Sequence, residues 1–174
     1  YLSIINRNSK RATKMITDLF EFSLLDSMDY KLNIKKLDIN EVLREIVAYY
    51  IPELETKEFN YDFDISEEEI LINIDEVKFT RAISNLIDNS IKYNDKNTTL
   101  FVISRRCSNG IEIIISDNGR GIKEELRDKI FDAFVREDKA RSSSTGGTGL
   151  GLAITKAIIE KHNGTIELVN SIKG

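Results

Sequence analysis

The sequence predicts an α+β fold: a two-layer α/β sandwich of a mixed, mostly antiparallel sheet with helices on one face, preceded by one long helix. Three observations lead there. Strand-like and helix-like segments occur in similar number along the 174 residues. Several strand pairs are joined by short turn signals rather than by crossover helices, which favours antiparallel pairing. The first thirty residues form a separate helical stretch with spacings of three and four.

In chain order, Leu2, Ile5, Ser9, Ala12, Ile16, Leu19 and Ser23 trace a seam through several heptads. That seam suits one helix of a dimerising bundle, or a helix packed on its own domain. Asp26 to Tyr30 breaks the pattern and reads as a hinge. Lys31 to Ile39 alternates as a strand, and Asn40 is expected to cap a helix carrying Val42, Leu43, Ile46 and Val47, with Pro52 disturbing its end. Phe59–Ile65 and Ile70–Ile74 alternate on either side of an acidic turn and predict a hairpin. A helix starting near Asp75 should bury Phe79, Ala82, Ile83, Leu86, Ser90 and Ile91. Thr99–Cys107 and Ile111–Ser116 form a second hairpin around Ser108-Asn109-Gly110. A short helix over Lys123–Phe131, a polar loop, a helix from Leu150 to about His162 and a strand over Thr165–Val169 complete the chain. There is no internal repeat.

Composition narrows the function classes. Hydrophobic residues at 41% and charged residues at 31% describe a globular protein rather than a disordered one. The net charge of −4 lacks the basic excess of a general nucleic-acid binder, so no nucleic-acid partner is expected. One cysteine, Cys107, excludes an intrachain disulfide and fits a reducing compartment. No apolar run reaches the roughly 18 residues of a membrane span, and no signal peptide opens the chain. The sequence begins mid-helix without Met and reads as a piece of a longer protein.

Three stretches carry chemistry. On the helix after Asp75, Asn85 and Asn89 stand four apart and Lys92 three further on, so two carboxamides and an ammonium share a face with Lys78, Arg81 and Asp88. An amide oxygen is a hard ligand for Mg²⁺ and a lysine is a point charge for phosphate; the plainer reading is a solvated face. Asp117-Asn118-Gly119-Arg120-Gly121 follows an apolar strand. Its carboxylate suits an exocyclic amine, selecting adenine over guanine, and its glycines permit close backbone approach; alone it is also an ordinary Asp-Asn-Gly turn. Gly146-Gly147-Thr148-Gly149-Leu150-Gly151-Leu152 runs into a helix, whose N-terminal N–H groups suit phosphate oxygens, and no Gly-Lys-Ser/Thr makes it a P-loop. Between these clusters lies Phe131-Asp132-Ala133-Phe134-Val135-Arg136. Its phenylalanines would anchor the base of a lid spanning Glu137–Thr148, which includes Ser142-Ser143-Ser144-Thr145. Arg136 would reach the terminal phosphate, or the segment is core aromatics and a solvated arginine.

Asn85-Leu-Ile-Asp-Asn89-Ser-Ile-Lys92-Tyr93, Asp117-Asn-Gly119-Arg-Gly121-Ile122, Phe131-Asp-Ala-Phe134 and Gly147-Thr-Gly149-Leu150-Gly151-Leu152, in this order, resemble the N, first glycine, F and second glycine boxes of sensor histidine kinases, within the GHKL superfamily of ATP-binding domains. The resemblance covers about Lys36 to Gly174. Residues 1–30 resemble the second helix of the dimerisation and histidine-phosphotransfer domain, and 31–174 the catalytic domain with its last strand truncated. By that likeness Asn89 would hold Mg²⁺, Asn85 and Lys92 would contact phosphates, and Tyr93 would stack near the adenine. Asp117 would accept the adenine amine beside Gly119 and Gly121, with Ile122 lining the base pocket. Arg136, Gly147, Thr148, Gly149, Leu150, Gly151 and Leu152 would hold the outer phosphates. The phosphoacceptor histidine of such kinases belongs to a first helix absent from this sequence.

The function this implies is transfer of the γ-phosphoryl of Mg-ATP to that histidine, then to an aspartate in a response-regulator receiver domain. The setting would be a homodimer joined through the helical domain, with this part cytoplasmic and the full protein anchored in the cell membrane. ATP-hydrolysing relatives among gyrases, mismatch-repair proteins and heat-shock chaperones place a glutamate where Asn85 stands, and an amide cannot act as the base that activates water. A serine kinase acting on an anti-anti-sigma protein and a non-catalytic ATP-binding module are further alternatives.

Overall fold

The computed structural model describes residues 2–108, 110–136 and 147–169. Its elements are α1 (Leu2–Asp26), β1 (Lys35–Asp38), α2 (Ile39–Thr56), β2 (Asn60–Ile65), β3 (Leu71–Ile74), α3 (Glu76–Tyr93), β4 (Thr99–Cys107), β5 (Gly110–Asp117), α4 (Glu124–Arg127) and α5 (Gly151–Lys161). They fall into two compact units. One is built on Leu32–Ile122; the other joins the leading segment to Lys123–Val169.

In the first unit, β1 and β3 form an antiparallel pair, and β4 lies between a parallel β2 and an antiparallel β5. The inward residues of β4, Leu100 and Val102, are fully buried. Their ladder partners Asp117 and Ile115 share that face. The apolar sides of α2 (Ile39, Val42, Leu43, Ile46, Val47) and α3 (Phe79, Ala82, Ile83, Ile87, Ile91) supply the rest of the core. The α+β class and the helix-covered mixed sheet are therefore as the sequence predicts, with the strands divided between a two-stranded and a three-stranded sheet.

The hairpin expected between Phe59–Ile65 and Ile70–Ile74 does not form. Side chains draw the acidic turn across to other elements instead. The Ser66 N–H donates to Ser104 Oγ at 2.9 Å, and that hydroxyl donates to Asn40 Oδ1 at 2.8 Å. Asn40 Nδ2 donates to the Glu68 carbonyl, and Ile70 N–H to Asp38 Oδ1 at 3.0 Å. The chain thus leaves β2 and reaches β1 rather than folding back. Asn40, expected as a cap, is buried inside this network; the cap is Asp38, whose Oδ1 accepts the Asn40 N–H. The strand predicted over Lys31–Ile39 shortens to β1. Pro52 sits inside α2 without ending it. Pro52 and Ala48, whose carbonyl loses its helix donor, are both exposed, so the missing bond falls on the solvent side of the helix.

The α3 stripe also needs correction. Ile87 is fully buried and Leu86 only half-buried, while Asn85 lies inward at 6% exposure. The buried arc is wide because α3 packs on both β5 and α2. In the second unit α1 packs against α5. It turns Asp18 and Leu25 inward, while Ile5, Ile16 and Leu19 of the predicted seam stay exposed. The helix predicted over Lys123–Phe131 is confined to α4, where no residue is buried to reward a longer one. Thr165–Val169 finds no ladder partner among the described residues and forms no strand. No helix of the described residues is long and apolar enough to cross a membrane.

Candidate functional site

In the first unit the candidate residues gather at the C-terminal half of α3 and the turn after β5. Asp75 starts α3: its Oδ1 accepts the Lys78 N–H at 3.1 Å, and its Oδ2 the Asn33 N–H at 2.9 Å. From that fixed start, Asn85, Asn89 and Lys92 follow at helical spacing. Asn89 is half-buried, and among the described residues its amide has no hydrogen-bond partner. Asp88 is held aside by the Tyr50 hydroxyl, which donates to its Oδ1 at 2.8 Å. Burial, with the Asp88 carboxylate nearby, pushes the Tyr50 phenol far above its ordinary range, so this donor keeps its proton.

Asp117 ends β5 on the helix side of the sheet. Its Oδ2 accepts the Ser90 hydroxyl at 2.7 Å and its Oδ1 accepts the Gly119 N–H at 3.0 Å. Two donors from two directions fix the carboxylate plane and leave the remaining lone pairs for a further donor. Asn118 points away and closes the β4–β5 ladder, its Oδ1 accepting the Thr99 N–H at 2.7 Å. The turn itself rests on Asn94. That side chain donates from Nδ2 to the Ser90 carbonyl and accepts the Arg120 N–H at Oδ1, both at 3.0 Å. Gly121 has φ +76°, which favours glycine. Tyr93 is partly exposed, with Lys92 Nζ at 4.9 Å and Arg120 Cζ at 5.6 Å from its ring centroid. Cations over an aromatic face attract it electrostatically, so this end of α3 is positively charged around a flat ring.

The second unit carries the other predicted residues. Leu150 is fully buried and Thr148 nearly so, at the entry to α5. Gly149 has φ +76°, and its carbonyl accepts the Phe134 N–H at 2.8 Å. A Cβ at Gly149 would lie 3.0 Å from the Phe134 Cα and 3.2 Å from Arg136 Cγ, so glycine is required where those backbones meet. This seats Arg136 beside the glycine turn. Phe134, expected as a core anchor, is 59% exposed with φ +67°. Its backbone bond to Gly149, not its ring, holds the segment. The lid proposed over Glu137–Thr148 lies outside the described residues except for Gly147 and Thr148. His162 caps the far end of α5, its Nδ1 2.7 Å from the Ile158 carbonyl oxygen.

The structure thus brings Asn85, Asn89, Lys92, Tyr93, Asp117, Gly119, Gly121 and Ile122 into one unit, and Arg136 with Gly147 to Leu152 into the other. Sequence reasoning missed two supporting residues. Ser90 was assigned to the core and does pack there, but its hydroxyl orients Asp117. Asn94 follows the last helical residue directly, and a polar amide at that junction was the available signal.

A family profile described as histidine kinase-, DNA gyrase B- and HSP90-like ATPase matches residues 74–174. Among curated proteins, the sensor protein kinase WalK of Staphylococcus aureus strain MRSA252 is 38% identical over 176 aligned residues, which cover 100% of this chain and 28% of WalK. The chain therefore spans about a quarter of that relative's length. Among solved structures, the histidine kinase AdeS of Acinetobacter baumannii superposes with a TM-score of 0.71 at 27% identity, over 89% of this chain and 70% of that one. The histidine kinase ThkA in complex with the response regulator protein TrrA shares the fold, with a TM-score of 0.71 at 23% identity over 94% of this chain and 44% of that one.

Proposed function

From the premise that the chain belongs to the histidine kinase-, DNA gyrase B- and HSP90-like ATPase family, we propose that it is the ATP-binding catalytic part of a sensor histidine kinase. It donates the γ-phosphoryl group of ATP to a histidine on a separate helix, for relay to an aspartate of a response regulator. The observation that carries the choice within the family is Asn85, a nearly buried amide where hydrolysing relatives would need a carboxylate base. The likeness to WalK over the full length of this chain supports the same choice.

Each group of residues has a part. Asp117 accepts the adenine amine, Gly119, Gly121 and Ile122 line the base, and Tyr93 offers its ring. Asn85 and Lys92 meet phosphate oxygens, and Arg136 with the N-terminus of α5 takes the outer phosphates, where N–H groups and the helix dipole favour negative charge. Asn89 would hold Mg²⁺, because an amide oxygen is a hard ligand that suits this ion and few protein ligands are needed. Bound there, it would neutralise charge on the phosphates. The protein's own task is positioning, since phosphoryl transfer needs little covalent help from the donor side. The acceptor nitrogen bonds the γ-phosphorus as the bond to the bridging oxygen breaks and ADP leaves.

Residues 1–30 we assign to the dimerisation and phosphotransfer domain, with exposed Ile5, Ile16 and Leu19 facing a partner helix. In the full-length protein this gives a homodimer, anchored in the membrane through parts outside this sequence with the catalytic part in the cytoplasm.

Two outcomes test the assignment. Asn89→Ala is expected to weaken ATP binding about tenfold with Mg²⁺ present and to leave binding in EDTA unchanged, as measured by calorimetry. Equal losses in both buffers would remove Asn89 from the metal site. The second concerns His162, the only histidine in the sequence. It stands one helix length from Leu150, roughly 18 Å at 1.5 Å per residue, whereas in-line attack needs about 3 to 3.5 Å. The chain incubated with γ-labelled ATP should acquire no acid-labile label, yet should label an added helical domain bearing the acceptor histidine. Label on the chain alone, lost in His162→Gln, contradicts this reading.

A further inference from the structure

The most deeply buried charged side chain of the described residues is Asp18 on α1, at 2% exposure. It accepts the hydroxyl proton of Thr148 at 2.8 Å, across 130 positions of sequence. Thr148 is itself only 6% exposed, and its Oγ in turn accepts the Leu150 N–H at 3.3 Å. A hydroxyl has one proton. With that proton committed to Asp18, the oxygen lone pairs are directed at the backbone N–H that opens α5. Asp18, Thr148 and the Leu150 amide therefore form one directed chain of bonds ending on the glycine turn. At the other end of α5, Lys161 Nζ donates at 2.8 Å to the carbonyl of Ser27, the residue that follows α1, so α1 and its C-terminal exit are tied to both ends of the same helix.

We infer that Asp18 is a positioning residue for phosphate binding, through which α1 sets the conformation of the turn Gly147–Gly151. The inference rests on the assignment of that turn to the phosphates. Its physical basis is the cost of leaving a buried carboxylate or hydroxyl without its partner. The turn can be reshaped only if Thr148 finds another acceptor, and a shift of α1 along α5 removes that acceptor. Docked α1 and phosphate-ready turn are thus coupled. By linkage, phosphate at the turn must in turn favour the docked position of α1. The helix that leads into this domain acquires a direct handle on nucleotide affinity.

The test uses the 174-residue chain with ATP and with adenosine, which presents the base and no phosphate. Asp18→Ala should weaken ATP binding by about three- to tenfold and leave adenosine unchanged, whereas Asp18→Asn, whose carbonyl still accepts the Thr148 hydroxyl, should stay within about twofold of wild type for both. A merely structural role would reduce ATP and adenosine alike, and that result overturns the inference, as does unchanged ATP binding in Asp18→Ala. If Asp18→Ala does not fold, the wild-type chain still decides by amide hydrogen exchange. ATP should slow exchange over residues 15–22 of α1, and adenosine at equal occupancy should not. Identical effects of the two ligands on that segment overturn the coupling. Wild-type protein that binds no ATP defeats the proposed function itself, whereas wild-type binding with an insensitive Asp18→Ala variant defeats this inference alone.

Discussion

Asp117→Asn is expected to lower ATP affinity by about ten- to a hundredfold. The carboxylate accepts from the Ser90 hydroxyl and from the Gly119 N–H. An asparagine has only one acceptor oxygen for these two donors and the incoming amine. The backbone N–H cannot reverse its role, so the amide oxygen must stay on Gly119. The Ser90 hydroxyl can rotate and accept from the new NH₂ group. The adenine amine then meets an amide donor instead of an acceptor. Leaving such a buried group unmatched costs about 1 to 3 kcal/mol, and each 1.4 kcal/mol is about tenfold in affinity. Inosine triphosphate, which lacks the exocyclic amine, provides the control. Calorimetry should show wild type preferring ATP to it and Asp117→Asn having lost most of that preference. Equal losses for both nucleotides would mean that the substitution damaged the fold rather than base recognition.

The candidate residues and the fold could be read in the sequence to different depths. The positions proposed to face ligand announced themselves by residue type and spacing: Asn85, Asn89 and Lys92 on one helix, Asp117 before two glycines, and Gly147 to Leu152 opening α5. Local periodicity also gave α3, β4, β5 and α5 nearly to the residue, because each of these is long or sharply bounded. Strand pairing was less legible. Alternation in Phe59–Ile65 and Ile70–Ile74 says that both are strands, but not which neighbours they take. That choice was made by Asn40, Ser104 and Asp38, whose polar bonds draw the acidic segment across the sheet. The burial of Asn85 was hidden for a related reason, since α3 is covered on two sides and a single apolar stripe underestimates its buried arc. Asp18 and Asn94 belong to the same class: their roles depend on partners distant in sequence, Thr148 and the turn at Gly119.

That dependence gives the second large effect, at Gly119. A Cβ added there would stand 1.9 Å from Oδ1, 2.2 Å from Cγ and 2.8 Å from Nδ2 of Asn94. Gly119→Ala must therefore expel the Asn94 amide. Expulsion breaks its bonds to the Ser90 carbonyl and the Arg120 N–H, each worth about 0.5 to 1.5 kcal/mol. The expected result is a loss of about 1 to 3 kcal/mol, which for a chain of this length lowers the melting temperature by roughly 3 to 10 °C. ATP affinity should fall as well, because the displaced turn begins at Asp117 and one of the two donors orienting that carboxylate is the Gly119 N–H itself. The clash predicts a specific non-additivity. Asn94→Ala alone forfeits the same two bonds but leaves space, so adding Gly119→Ala to it should cost little more. Thermal unfolding of the two single variants and the double variant measures this directly. Costs that simply add would show that the loss in Gly119→Ala does not come from displacing the Asn94 amide. A double variant no less stable than Asn94→Ala would establish that Gly119 is glycine because Asn94 occupies the place of its side chain.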